Sequence, residues 1–200
     1  HVFAAVCTIE SRGKMYKPTY SIANLSPDKS YVVSYFTSSY INTILTSSST
    51  VVHKDVFETI GLYNPSLRSG EDTDLWIRLG LAYTVVFLNT PLATYRFEVT
   101  SLSNSPKQVK KALDLDCYEK HIANHKGLKK FLDLNRYSLA LFAKIAGNKE
   151  DYLKYKKGID LKNLNKKQRF LINAPSFVLN VLVWLKVVLE KNGLQLSAYK

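Results

Sequence analysis

The sequence predicts an α/β domain followed by an all-helical, basic C-terminal region. Three observations carry this. Up to about residue 100, short apolar or β-branched runs alternate with short helical patterns. After Pro106 every periodic segment is helical. The charge divides at the same place: residues 1–105 hold 8 Lys and Arg against 8 Asp and Glu, whereas residues 106–200 hold 20 against 8, and so carry the whole formal net charge of +12. With 46% hydrophobic and 22% charged residues in a chain of 200, the composition is that of a folded protein with one sizeable core and not of a disordered one.

His1 to Ile9 reads as a strand, apolar almost throughout and hence buried on both faces. Glu10 to Lys29 is polar and turn-rich, with Pro18 and Ser26-Pro27-Asp28. Tyr31 to Phe36 is β-prone, Thr46 to Thr50 is a hydroxyl-rich loop, and Val51-Val52 is a short strand. Lys54 to Ile60 is a short helix, with Asp55 in the first turn and Gly61 as its stop. Asp72 to Leu81 is a second helix. Tyr83 to Leu88 and Leu92 to Phe97 read as two strands parted by Asn89-Thr90-Pro91. Beyond Pro106, helices are predicted over Lys107 to His125, Leu128 to Ile145, Lys149 to Tyr155, Lys166 to Ile172 and Ser176 to Lys191. The last is almost wholly apolar from Phe177 to Leu189, yet shorter than the roughly 20 residues of a bilayer crossing. It fits either a helix docked on the core or one lying in a membrane interface.

Cys7 and Cys117 are far apart and form no CxxC, so no disulfide framework is expected, and a reducing compartment fits. Cys117, His121 and His125 follow one another at helical turns. On an α-helix Cys117 and His125 would lie about 12 Å apart along the axis, too far for one zinc ion.

The densest chemistry is Glu71-Asp72-Thr73-Asp74, three carboxylates entering an apolar helix. Acidic residues there complement the helix dipole, and Asp72 could simply cap the helix. The alternative is a general base that takes a proton from a hydroxyl. A helix N-terminus weakens a carboxylate as a base, so desolvation by bound substrate would have to restore it, with Tyr63 and Trp76 as candidate dry walls. Thr46, Ser47, Ser48, Ser49 and Thr50 form a hydroxyl-rich loop that could hydrogen-bond the hydroxyls of a ligand or be simply a loop. Arg96 fits either a strand-end salt bridge or an anion contact.

Several segments together carry a resemblance: Ser49-Thr50-Val51-Val52-His53-Lys54-Asp55-Val56-Phe57, Gly61-Leu62-Tyr63-Asn64-Pro65-Ser66-Leu67, Gly70-Glu71-Asp72-Thr73-Asp74-Leu75-Trp76-Ile77-Arg78, Tyr95-Arg96 and Ser101-Leu102-Ser103. In this order and spacing, Val2 to about Ser105 resembles the distal half of a family 2 glycosyltransferase. The resemblance implies the distal part of a GT-A (Rossmann-like) α/β sandwich over 1–105, with 106–200 as a basic helical region; similar tails follow such domains in bacterial surface-polysaccharide enzymes. It implies inverting chemistry, in which a carboxylate deprotonates an acceptor hydroxyl that displaces a nucleoside diphosphate neutralised by Mg or Mn. The family's base maps to Asp72, with Glu71 supporting the acceptor and Asp74 in reserve. Arg96, Asp74, Trp76, Ser48 and Ser49 are the substrate contacts expected, with Arg96 on the diphosphate. Many relatives place a His two residues after that Arg. Here Glu98 stands there, an oxygen ligand suited to a hard cation.

The family's opening half, with its uridine-binding turn and Asp-x-Asp, has no counterpart here. Asp114-Leu115-Asp116 has the right letters in the wrong order and in a predicted helix. The expectation is therefore a fragment, inactive alone, whose cation is held mainly by the missing half and whose cut sheet self-associates. The partners expected are a nucleotide-sugar donor, a glycan or lipid-linked saccharide acceptor, and an anionic membrane surface met by the C-terminal helices. That places the chain in the cytoplasm at the inner membrane. Two alternatives stand beside this: a nucleic-acid-binding module, for which no zinc-finger or RNA-recognition signature is present, and a non-catalytic interaction domain of similar shape.

Overall fold

A computed structural model describes residues 1–11, 13–67, 69–96 and 113–191. It shows a mixed α/β protein with a helical C-terminal region. The chain forms two compact units, His1–Leu128 and Lys129–Lys200. This division falls later than the change of composition near residue 106. Among the described residues of the intervening segment, Leu113 lies against Gly70, Tyr118 bonds to Asp74 and Gly127 O accepts from the Tyr40 hydroxyl.

The first unit is built on a five-stranded sheet. Strand β1 (Val2–Ser11) runs parallel to β5 (Val85–Arg96), and β3 (Ser30–Val33) lies antiparallel on the far side of β5. On its other side β1 pairs antiparallel with two short strands, its first residues with β4 (Thr50–Val52) and its last with β2 (Lys14–Tyr16). Strand β2 lies within the polar, turn-rich stretch from Glu10 to Lys29. As the apolar run of β1 predicts, Ala4, Ala5, Val6 and Cys7 are all buried. Both cysteines are unbonded, Cys7 buried and Cys117 exposed.

The two strands expected on either side of Asn89-Thr90-Pro91 are one. Pairing steps from Ala5 opposite Leu88 to Val6 opposite Pro91, so β5 bulges without ending. Proline has no N–H for the ladder, and the bulge absorbs that loss. The residues thrown out are used elsewhere. Buried Asn89 donates its backbone N–H to Lys29 O (3.0 Å) and its side-chain amide to Ser26 O (2.9 Å), and Thr90 Oγ1 donates to Asp28 Oδ1 (2.8 Å). The bulge thus clamps the turn that leads into β3.

Three helices accompany the sheet: α1 (Tyr35–Ser38), α2 (Lys54–Ile60) and α3 (Glu71–Ala82). Tyr35 and Phe36 therefore leave the predicted strand and form a helical turn. Leu75, Ile77 and Leu79 give α3 its buried face. Gly80 has a steric reason: a Cβ there would lie 2.8 Å from Tyr35 Cδ1, so only glycine lets α1 and α3 meet. Of the helix predicted over 107–125, residues 107–112 lie outside those described. Asp116–Asn124 is a 3-10 helix, and Asp114 precedes it, its carboxylate accepting from the N–H of Asp116 (3.1 Å).

The second unit carries α4 (Leu128–Ile145, whose first residue closes the first unit), α5 (Lys149–Lys157), α6 (Lys166–Asn173) and α7 (Ser176–Lys191), with a short 3-10 turn at Leu161–Asn163. Asn148 caps α5, and Asn165 with Gln168 forms a capping box on α6. Fully buried Asp133 organises this unit. It accepts from Lys129 Nζ (2.6 Å), Asn163 Nδ2 (2.7 Å) and the N–H of Asp160 (3.2 Å), with Arg136 beside it at 3.5 Å. A buried carboxylate persists only when paired and bonded in this way.

Burial pushes the Tyr20 phenol up to about 12, and raises that of fully buried Tyr35 as well. In the unfolded chain both ionise near 10.0. Protons therefore leave the unfolded state first, so this contribution to stability is intact below about pH 10 and is lost as pH rises towards 12. An alkaline titration followed by circular dichroism and phenolate absorbance checks this. The last phenols should ionise together with loss of helix; complete ionisation near pH 10 with the helix intact contradicts it.

Candidate active site

The loop from Leu62 into α3 sets the site. Gly70 is the residue before the helix, at φ +82°, and an added Cβ would lie 3.0 Å from Leu113 Cβ. A side chain is thus excluded twice, by backbone conformation and by space. Because glycine holds this position, no side chain caps α3. Asp72 is not the cap; it stands in the first turn, exposed, and its Oδ1 accepts from Ser47 Oγ at 3.1 Å.

The three carboxylates have separate environments. Asp74 is buried, and Arg78 reaches it with Nε at 3.0 Å and a terminal nitrogen at 2.6 Å. Its other oxygen accepts from the Tyr118 hydroxyl. Burial first, then the bond and charge of Asp74, hold the Tyr118 phenol well above its usual range. The Arg78 guanidinium also donates to the carbonyls of Ile60, Gly61 (3.3 Å) and Leu62 (2.9 Å), and so closes the carboxyl end of α2. Asp74 is therefore a structural anchor with both oxygens engaged, which corrects its expected place among the substrate contacts. Trp76, 6% exposed, is a core residue and forms no sugar-stacking wall.

Asp72 instead gathers hydroxyl groups. Besides Ser47, the phenols of Tyr63 and Tyr35 lie within its electrostatic reach. Tyr63 is raised by burial first and then by the charges of Asp72 and Glu71, while a bond with Ser47 pulls the other way. Tyr63, the other candidate wall, is 44% exposed. Ser48 is exposed. Ser49 is turned into its own loop, its hydroxyl 2.8 Å from Thr46 Oγ1. The residue of this run that meets Asp72 is Ser47, which spacing did not single out. The Asp74–Arg78 pair was visible as an i, i+4 spacing.

The N–H of Ala5 in β1 donates to Ser49 O (3.0 Å), so the loop bearing Ser47 continues past Ala5 along β1. The last turn of α3 leads through Tyr83 into β5. Arg96 is the last residue of that strand. It pairs with Glu10 at 3.1 Å in the strand-end salt bridge that the sequence allowed, and is 70% exposed.

Glu98 lies outside the described residues. Among those described, no three His, Cys, Asp or Glu come together as a group that could hold a metal ion, so these residues supply no cage for the expected cation. The His121 and His125 rings stand 6.3 Å apart in edge contact. A cavity of about 400 Å³ opens elsewhere in the unit, lined by Ser34, Phe36, Thr37, Asn124, His125 and Lys126, and no expected site residue borders it.

Gly70→Ala should destabilise the chain by about 1–3 kcal/mol, through a left-handed backbone and the Leu113 contact. Tyr118→Phe should cost about 1–3 kcal/mol by stranding one oxygen of Asp74. Ser47→Ala, at an exposed bond, should cost less than about 1 kcal/mol. Urea unfolding measures all three; equal losses contradict the separation of site from support.

None of the family models, curated proteins or solved structures compared with this chain matches it.

Proposed function

We propose that this chain carries the acceptor side of an inverting nucleotide-sugar glycosyltransferase of GT-A type, with Asp72 as the general base. One observation carries the reading. Of the three carboxylates entering α3, Asp72 alone is exposed, and it already receives a hydroxyl. A carboxylate has about four lone-pair sites, and the Ser47 bond occupies one of them. An acceptor hydroxyl can therefore bond to Asp72 while Ser47 fixes the rotamer.

The chemistry balances simply. The Asp72 carboxylate takes the proton of the acceptor hydroxyl. That oxygen forms a bond to the anomeric carbon as the bond to the nucleoside diphosphate breaks, and the diphosphate leaves with the electron pair. The acceptor, once seated, would meet Asp72 beside the Tyr63 hydroxyl, whose phenol the charges of Asp72 and Glu71 already reach. Glu71 stands next to Asp72 and shares the field felt by Tyr63, a position suited to orienting the acceptor. Arg96, exposed at the end of β5, is suited to the diphosphate. The chemistry derived for Asp72 rests on the carboxylate alone; a divalent cation on the leaving group would be held by residues other than those described.

The test joins this chain to a nucleotide-binding half bearing an Asp-x-Asp and measures sugar transfer from a panel of nucleotide-sugars. Asp72→Asn should lower kcat by about 100-fold or more with KM for the acceptor little changed. Ser47→Ala should lower it by about tenfold or less. Transfer at the native rate by Asp72→Asn overturns the assignment of the base.

A further inference from the structure

Helix α7 leaves Phe177 and the run Val181 to Leu185 uncovered. Phe177, Val181 and Trp184, spaced i, i+4 and i+7, are 70%, 58% and 65% exposed. Among the described side chains of α7 only Leu179 is fully packed, and every side chain from Asn180 to Leu185 is exposed. Folded proteins seldom leave so continuous an apolar patch without a partner.

The surroundings of α7 identify the partner. At its foot two lysines converge on the end of α6. Lys144 Nζ donates to Ile172 O at 3.0 Å, and Lys156 Nζ donates to Asn173 Oδ1 at 2.8 Å. Both ammonium groups also stand over the Tyr152 ring, at 4.5 and 5.4 Å. Burial alone would raise the Tyr152 phenol, but the bonds and charges of Lys156 and Lys144 bring it below its usual range, a mark of strongly positive local potential. On α6, Lys166, Lys167 and Arg169 are exposed beside Phe170, itself 63% exposed. Residues 129–200 hold 15 Lys and Arg against 5 Asp and Glu. A second copy would set two such basic units against each other, whereas an anionic surface neutralises them.

We infer that α7 lies in the interface of an anionic lipid bilayer, with Phe177, Val181 and Trp184 among the acyl chains and the neighbouring lysines on the lipid phosphates. At 1.5 Å per residue its 16 residues measure about 24 Å, less than the hydrocarbon thickness, and no described helix is long and apolar enough to cross a membrane. An amphipathic helix beside a basic cluster supplies the two attractions that stable attachment needs. The inference rests on the second unit and is independent of the proposed sugar transfer.

Trp184 reports on it directly. The chain has 2 tryptophans, and Trp76 is buried. The whole chain is mixed with vesicles of phosphatidylcholine containing phosphatidylglycerol. Tryptophan emission should shift to the blue and the protein should sediment with the vesicles; Trp184→Phe should abolish the shift. Val181→Asp, at an exposed position that leaves the fold intact by circular dichroism, should weaken sedimentation by about tenfold or more. Three results overturn the inference: equal binding to pure phosphatidylcholine, native sedimentation by Val181→Asp, or a blue shift without lipid that grows with protein concentration.

Discussion

The first unit depends on one buried ion pair. Asp74 and Arg78 lie one turn apart on α3, and together they bind three pieces of chain that are remote in sequence. Arg78 holds the end of α2, and Asp74 holds Tyr118 of the 3-10 helix. The pair also fixes the rotation of α3. Successive residues of an α-helix turn by about 100°, so residues 72 and 74 point about 200° apart. Asp72 lies in the first turn, ahead of the buried run from Asp74 to Ile77, and is exposed.

Much of the fold was legible, for identifiable reasons. The helix at Lys54–Ile60 matches its prediction residue for residue, because its start and stop signals are local: Asp55 against the dipole and Gly61 as terminator. The apolar run of β1 likewise announced a strand buried on both faces. Where pairing partners decide, the sequence was less informative. A proline in β5 read as a break, yet β1 continues beside it and the strand bulges. Tyr35 and Phe36 have β propensity but are drawn into a helical turn by the glycine-sized space above Gly80.

The site was legible in part. The acidic turn at Glu71-Asp72-Thr73-Asp74 and the aromatic wall of Tyr63 could be read from residue types. Ranking the carboxylates could not, because the burial of Asp74 depends on Tyr118, 44 residues away. Ser47 is chemically indistinguishable from its neighbours Ser48 and Ser49, and only the turn from Thr46 to Thr50 selects it. In the second unit the charge asymmetry was plain from composition. The sequence did not show which lysines gather at the foot of α7, since Lys144 and Lys156 come from two helices and meet on a third.

The central claim is the division of labour between two carboxylates two residues apart, one holding the helix and one left for chemistry. Urea unfolding of Asp72→Asn and Asp74→Asn tests it most directly. Asp74→Asn removes the charged acceptor of Arg78 and Tyr118 and should lose about 1.5–3 kcal/mol, whereas Asp72→Asn should stay within about 0.5 kcal/mol of the native chain. Comparable losses in the two variants, or a larger loss at Asp72, would contradict the account.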